Sequence, residues 1–540
     1  MFEISDQSIS EYLRNFCDVT SIHGLKYVTE AGRHWLERLL WMLCCCLSVV
    51  GAGTLIWEVW SRYRTSPTIT GIETTHYPIW NVPFPAVTVC NVNKVFLPAA
   101  EQLYRTKNLS SELMEEEYYS FVMQMAEIVQ PESVNQFRQN ITHLEAVLQR
   151  HGLNMERLMW KLTQPCSSLM IKCKWRGELH PCESLFVMRK TDSGFCCSFN
   201  YFPPDDSTGG GGGAAREARR ANGAGYITGL TMLMDPRLDA YFAALFSFYG
   251  LQVLVHAPHD YPDIMARAII LAPQREAFLQ ISAETTYSTE RARILSPGQR
   301  GCLFDDESGA GRTLGASTYS FGNCLVRCKL AHLARLCNCT PFFYPADGQR
   351  QCGLLDVTCL AKNRRTFNNL SPQSRVPGLE ASEGMSCDCQ PACTDVVYNA
   401  ELTQGLFFKS EYDRTHFFSE VEINNHSILH VFFKDLSSIR FRRDVIYSWN
   451  DLVASFGGIV GLFLGCSMLS LVEVVYYFTL RPACAAAYAR RRRRRLRRRP
   501  ALDALRALGA FRVHPHAPPP PPAPLPPRKL LLTPFAAEWF

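Results

Sequence analysis

Gly457, Gly461 and Gly465 repeat at four-residue spacing in GGIVGLFLGCSMLSLVE, a stretch that also holds Gly458, Cys466, Ser467, Ser470 and the carboxylate Glu473. The run is otherwise apolar. Glycine weakens helices and a carboxylate is costly in lipid, so each of these residues needs a reason to be there. Small residues four apart let two helices approach closely, which accounts for Gly457 and Gly461. That reading does not account for Gly465-Cys466-Ser467. On a continuous helix Gly465 and Ser467 point about 200° apart. Both face one axis only where the backbone is extended or broken, a state tolerated at membrane depth where it lines water or is buried in protein. Carbonyls and a serine hydroxyl exposed there are oxygen ligands for a dehydrated cation. Two spans in one chain cannot enclose such a path, so this chemistry requires several copies.

Cysteine carries the second chemistry. Of 22 Cys, 16 lie between residues 58 and 450. All five Asn-x-Ser/Thr sequons fall in the same segment: Asn108, Asn140, Asn338, Asn369 and Asn425. Proline follows the sequons of Asn338 and Asn369, which leaves Asn108, Asn140 and Asn425 as the acceptors. An oxidised, glycosylated segment belongs outside the cell. Ten Cys cluster in 302–393, at Cys302, Cys324, Cys328, Cys337, Cys339, Cys352, Cys359, Cys387, Cys389 and Cys393. Structural zinc is the competing use of such a cluster. No His pair keeps finger-like spacing, and oxidising conditions favour bridges.

The elements that position these groups follow from hydropathy and charge. Leu39–Trp57 and Leu452–Val472 are uncharged runs of 19 and 21 residues with aromatic borders, long enough to span a bilayer. Residues 481–540 carry 14 Lys and Arg against 2 acidic residues, on a chain whose remainder is net acidic. The run Arg490–Arg495 with Arg497–Arg499 makes that side cytoplasmic and suits anionic inner-leaflet lipid; the competing reading is a solvated tail. Nucleic acid is not expected as a partner, given the apolar runs. The organisation expected is a cytoplasmic N-terminus (1–38), a first span (39–57), an extracellular Cys-rich domain (58–450), a second span carrying the pore (451–480) and a cytoplasmic tail (481–540). Cys44, Cys45 and Cys46 are then reduced, with palmitoylation open near the inner leaflet. In the tail, Pro524–Lys529 has the P-x-x-P-x-K form of an SH3-type docking site, weighed against simple disorder.

Between the spans, FPAVTVCN (Phe84–Asn91) and the stretches 186–202, 250–256 and 428–446 read as strands, and 100–165 reads as helices. The strand leaving the first span is expected to pair with the strand entering the second. Ser207–Gly225 is a low-complexity insertion. Motifs for a serine hydrolase, a metalloprotease, a P-loop or a dinucleotide fold do not occur, so neither an enzyme nor a cofactor is expected.

These residues also carry a resemblance. GG-x-x-G-L-x-x-G-x-S, met at Gly457, Gly458, Gly461, Leu462, Gly465 and Ser467, is similar to the second membrane segment of the degenerin/epithelial sodium channel family. His23-Gly24 resembles its cytoplasmic gating motif, FPAVTVCN the strand after the first span, and YSFGNCLVRC (Tyr319–Cys328) and CDCQPAC (Cys387–Cys393) its thumb. SIHGLKYV and SLVEVVYYF most resemble the insect pickpocket branch. The resemblance implies an α+β membrane protein with palm sheet, β-ball, finger, knuckle and thumb. It implies a homo- or heterotrimeric, amiloride-sensitive channel with Gly465, Cys466 and Ser467 as selectivity filter and sodium as the permeant ion.

It further implies gating roles for His23, Gly24 and Ala454, and bridges 302–393, 324–389, 328–387, 337–359 and 339–352. Cys90 should pair with Cys196 or Cys197; the partners of Cys166, Cys173 and Cys182 stay open. Ser455 stands where many members carry Asp or Asn. Glu473 keeps two readings. It sits at the inner interface, because Leu452–Val472 already spans about 31 Å, or three copies form an acidic ring at the inner mouth. The rivals to the channel are a two-span receptor or adhesion protein without a pore and, among channels, an ATP-gated receptor, disfavoured by the G-x-S pattern.

Overall fold

The computed structural model describes residues 9–491 apart from 108, 110–111, 132–140, 204–216, 264–266, 308, 310–313, 315–317, 346–347, 372–383, 409–416 and 419–424. Asn108, Asn140, most of the Ser207–Gly225 insertion, the arginines from Arg492 onward and Pro524–Lys529 lie outside the described residues. The chain divides into two compact units, Trp60–Asn450 and the joined segments Met1–Val59 and Asp451–Phe540.

The larger unit is built on β-strands. They are β1 (Thr68–Pro78), β2 (Ala86–Asn91), β3 (Asn93–Phe96), β4 (Met170–Trp175), β5 (Glu178–His180), β6 (Phe186–Thr191), β7 (Gly194–Phe199) and β8 (Leu230–Met234), followed by β9 (Tyr241–Ala244), β10 (Leu251–His256), β11 (Arg267–Leu271), β12 (Arg275–Ser288), β13 (Asp395–Leu406), β14 (Ser427–Phe433) and β15 (Ser437–Val445). An eight-stranded sheet runs β1-β15-β12-β14-β8-β4-β5 with β13 added to β12, and a five-stranded sheet runs β11-β10-β2-β7-β6. Along β12 alternate residues Ala277, Leu279, Ile281 and Ala283 are buried, the period of two of a strand with one face on the core. They share that core with Val87 and Val89 of β2, Phe199 of β7 and Val431 of β14. Phe84 meets Trp175, Phe199 and Phe433 edge-on within it. Each such side chain contributes about 1.5–3 kcal/mol by leaving water.

One strand pairing differs from the sequence reading. FPAVTVCN lies in the five-stranded sheet, with every residue of β2 buried, and pairs with β10 and β7. The strand that pairs with β15 is β1, TITGIETTHYP, in antiparallel register from Thr68↔Val445 to Pro78↔Ser437. β1 is polar and largely exposed, so it lacks the apolar alternation by which strands are recognised.

Helices Leu97–Thr106, Glu115–Val129, Ile141–Arg150 and Met155–Leu162 occupy the region read as helical. They share an apolar cluster with the helix Phe321–Cys337, through Val326, Leu330 and Leu333 on its inner face. Ser320 caps that helix by accepting the Asn323 N–H at 3.0 Å, and the left-handed Asn338 ends it. The helix is bridged at Cys324–Cys389, Cys328–Cys387 and Cys337–Cys359, beside Cys302–Cys393 and Cys339–Cys352. Cys90 is bonded to Cys196, Cys166 to Cys197 and Cys173 to Cys182. Cys339 and Cys352 face Asp356 in metal-ligand array, but the bridge between them consumes both thiolates.

Trp35–Thr65, which begins in the smaller unit, is a 31-residue helix containing an 18-residue stretch of mean hydropathy 2.2, long and apolar enough to cross a membrane. The second apolar run is not one helix. Trp449–Leu464 and Met468–Arg491 meet the same measure only as a pair, bent by 76° at a three-residue break. The break falls at Gly465-Cys466-Ser467, the residues that the sequence reading takes out of a continuous helix.

Candidate functional site

The break is written into the residues that form it. The outer half-helix, Trp449–Leu464, makes its last turn with the Gly465 N–H donating to Gly461 O at 3.0 Å. Gly465 then adopts φ +64°, the left-handed state that ends helices and that glycine enters without steric cost. Two residues on, Ser467 starts the inner half-helix, Met468–Val475, as its cap. The Ser467 hydroxyl accepts the Ser470 N–H at 3.3 Å, and Ser470 Oγ accepts the Ser467 N–H at 3.0 Å, a reciprocal box. Gly-Cys-Ser-x-x-Ser therefore reads as a helix stop followed by a helix start.

The N-terminal segment closes under this break. The His23 N–H donates to Leu464 O at 3.1 Å, satisfying a terminal carbonyl of the outer half-helix. The His23 ring fills the place where a Cβ on residue 465 would sit. Gly24 has φ +88°, and a Cβ there would come 2.8 Å from Cys45 Sγ on Trp35–Thr65. Glycine is needed at both 24 and 465, by conformation and by space. Ser21 Oγ lies 2.8 Å from Ser470 Oγ and 2.9 Å from Glu473 Oε2, and its single proton serves one of the two. Helix Ile9–Val19 adds Tyr12 and Phe16, whose rings meet Tyr477 at 4.9 and 5.1 Å, while the Tyr12 hydroxyl donates to Tyr477 O. A side chain on Gly51 would strike the Phe463 ring at 2.8 Å, so the long helix and the outer half-helix also touch through glycine.

The remaining sequence candidates divide. Ser470 is buried at the break and Glu473 stands one turn below it with Ser21. Ala454, Gly457 and Gly458 are exposed in the single chain, and nothing described lies within 4 Å of a Cβ placed on either glycine. Asn425 is exposed at the start of β14 and accepts from Gln274. Sequence reasoning missed Ser21 and Tyr12, and it did not foresee that Cys45 packs against Gly24. Ser21 stands two residues before His23, and Tyr12 and Phe16 are one helical turn apart; both were readable signals.

The break takes Gly465, Cys466 and Ser467 out of regular helix, between Leu464 and Met468. The family model for the amiloride-sensitive sodium channel matches residues 16–477, from the helix that meets Tyr477 through both half-helices. The chain belongs to the amiloride-sensitive sodium channel family. This is a family of ion channels and not of enzymes. The sodium channel protein Nach of Drosophila melanogaster is 26% identical over 493 residues, covering 87% of this chain and 88% of the relative. Pickpocket protein 28 of the same fly is 25% identical over 525 residues, covering 90% and 80%. Acid-sensing ion channel 4 of Mus musculus is 22% identical over 481 residues, covering 86% and 78%. All three similarities extend along most of each family member, well beyond the bent segment.

Proposed function

We propose that the chain is a subunit of a sodium-selective, amiloride-sensitive cation channel of the plasma membrane, opened by an extracellular stimulus. In this reading residues 39–57 and 451–480 cross the membrane, residues 58–450 are extracellular, and both termini are cytoplasmic. Three copies, identical or related, surround one pore. Gly465, Cys466 and Ser467 from each copy form the filter, and sodium is the permeant ion. No cofactor is assigned. Glu473 lies at the inner mouth. Gly457, Gly458, Gly461 and Ser470 lie toward the pore or its inner mouth, and the glycines' lack of side chain leaves room for neighbouring copies. Gating acts through His23, Gly24 and Ala454. The tail contributes anionic-lipid contact at its arginines and an SH3-type ligand at Pro524–Lys529. Asn108, Asn140 and Asn425 are the glycosylation sites.

The observation that carries the reading is the capped break itself. A chain that only packed membrane helices would have no use for a left-handed Gly465, a second cap at Ser467 and an N-terminal histidine bonded to Leu464 O. The test is Ser467→Leu, with sodium and potassium reversal potentials measured in voltage-clamped oocytes. The expected result is a loss of sodium preference at similar surface density. Unchanged selectivity removes the filter role.

A further inference from the structure

The inner half-helix does not run on to Arg491 as regular α-helix. Tyr476–Leu480 form a π-turn, in which the Arg481 N–H donates five residues back to Tyr476 O. That arrangement leaves Tyr477 O without a main-chain donor. Its α-helical partner would be the Arg481 N–H, which is taken. Its π-helical partner would be residue 482, a proline with no N–H. Tyr477 is 4% exposed, and a main-chain carbonyl left unpaired away from water is costly. The Tyr12 hydroxyl supplies the missing donor. Rings enclose that bond: Phe16 is itself buried and meets Phe478 at 4.9 Å, and the Arg481 guanidinium lies 4.4 Å from the centre of the Tyr477 ring.

The contacts of the N-terminal segment fall in one order. Read backward from His23 through Ser21 to Phe16 and Tyr12, the partners advance from Leu464 to Ser470 and Glu473, then to Tyr477 and Phe478. The segment therefore runs antiparallel to the inner half-helix, and the orphaned carbonyl is its far anchor. Tyr12 and Pro482 both fall outside the 16–477 matched by the family model, so this anchor is additional to the shared region. We propose that Tyr12 is a latch: by capping Tyr477 O it docks helix Ile9–Val19 on the inner end of the second apolar run and holds His23 under Gly465. Undocking uncovers a carbonyl that neither the π-turn nor Pro482 can serve, and this favours the docked state. That the latch sets current rests on the channel reading above; that the helix docks does not.

The test is hydrogen–deuterium exchange, read by mass spectrometry on the full-length chain in lipid nanodiscs. Tyr12→Phe keeps the ring and removes only the donor. The loss of one hydrogen bond corresponds to a factor of about two to twelve, and exchange across residues 9–19 should rise by that factor. Pro482→Ala returns an N–H at position 482, so the π-turn can relax to α-helix and give Tyr477 O the Arg481 N–H. Undocking then leaves no orphan. This variant alone should raise exchange comparably, and adding Tyr12→Phe to it should change exchange by less than about twofold. Unchanged exchange in Tyr12→Phe, or effects that multiply independently in the double variant, overturns the proposal. In voltage-clamped oocytes Tyr12→Phe should lower sodium current by at least about twofold at constant surface density. Raised exchange with unaltered current overturns the hold on His23. The expected exchange pattern in a chain that carries no sodium current with any partner subunit supports the latch and contradicts the channel reading.

Discussion

Single residues decide whether the second apolar run is a rod or a bend. Gly465→Ala places a methyl group into the His23 ring and forces an L side chain into the left-handed region. The conformational cost alone is about 1–2 kcal/mol. The expected outcome is a fall of at least tenfold in sodium current at constant surface density, measured by voltage clamp with surface biotinylation. Ser21→Ala removes the hydroxyl shared by Ser470 and Glu473. One hydrogen bond is worth about 0.5–1.5 kcal/mol, so the open-to-closed ratio should shift by about two- to twelvefold in single-channel records. An unaltered open probability would show that this contact is not part of gating. The logic of Gly465 and Ser467 was legible in the residues, because a regular helix points them apart. The partnership with His23 was not, since 441 positions separate Leu464 from His23 and no local pattern joins them.

At the scale of elements, what could be read depended on burial. The fully buried β2 and the alternating β12 declare themselves through apolar residues. β1 does not, because its threonines and Glu73 face solvent, and only its pairing with β15 makes it a strand. The same element scale governs pH response. Lys94 on β3 is 4% exposed, and its Nζ donates to Asn91 O at 2.8 Å. Burial lowers its pKa to about 7. The unfolded chain keeps this proton up to about pH 10.4, so between about 7 and 10.4 the unfolded state binds more protons and stability rises with pH. Lys94→Met should therefore raise the thermal midpoint most at pH 6–7, with the gain shrinking toward pH 9.5 as the wild-type chain loses its penalty. A gain that is flat across that range would mean the ammonium is not desolvated.

The bridges offer a second test at this scale. Cys302–Cys393 spans 91 positions and Cys173–Cys182 spans 9. Loop-closure entropy makes paired Cys→Ala removal of the first costlier by about 2 kcal/mol, readable by urea denaturation of the two double variants.

For the whole molecule, charge, hydropathy and cysteine usage converge on one topology, with an oxidised middle and a basic end. The smaller unit assembles the two ends of the chain, which is why neither end explains the break alone. Gly457 and Gly458 face open space in one chain, room that the proposed assembly of several copies would fill. The most direct measurement of the central claim is current in oocytes expressing the chain with Ala454→Phe, alone and with related subunits, as external sodium is exchanged for N-methyl-D-glucamine. The channel account predicts a sustained inward current that collapses on the exchange and is reduced by amiloride. Robust surface expression with no sodium-dependent current in any subunit combination would contradict it and favour a two-span receptor without a pore.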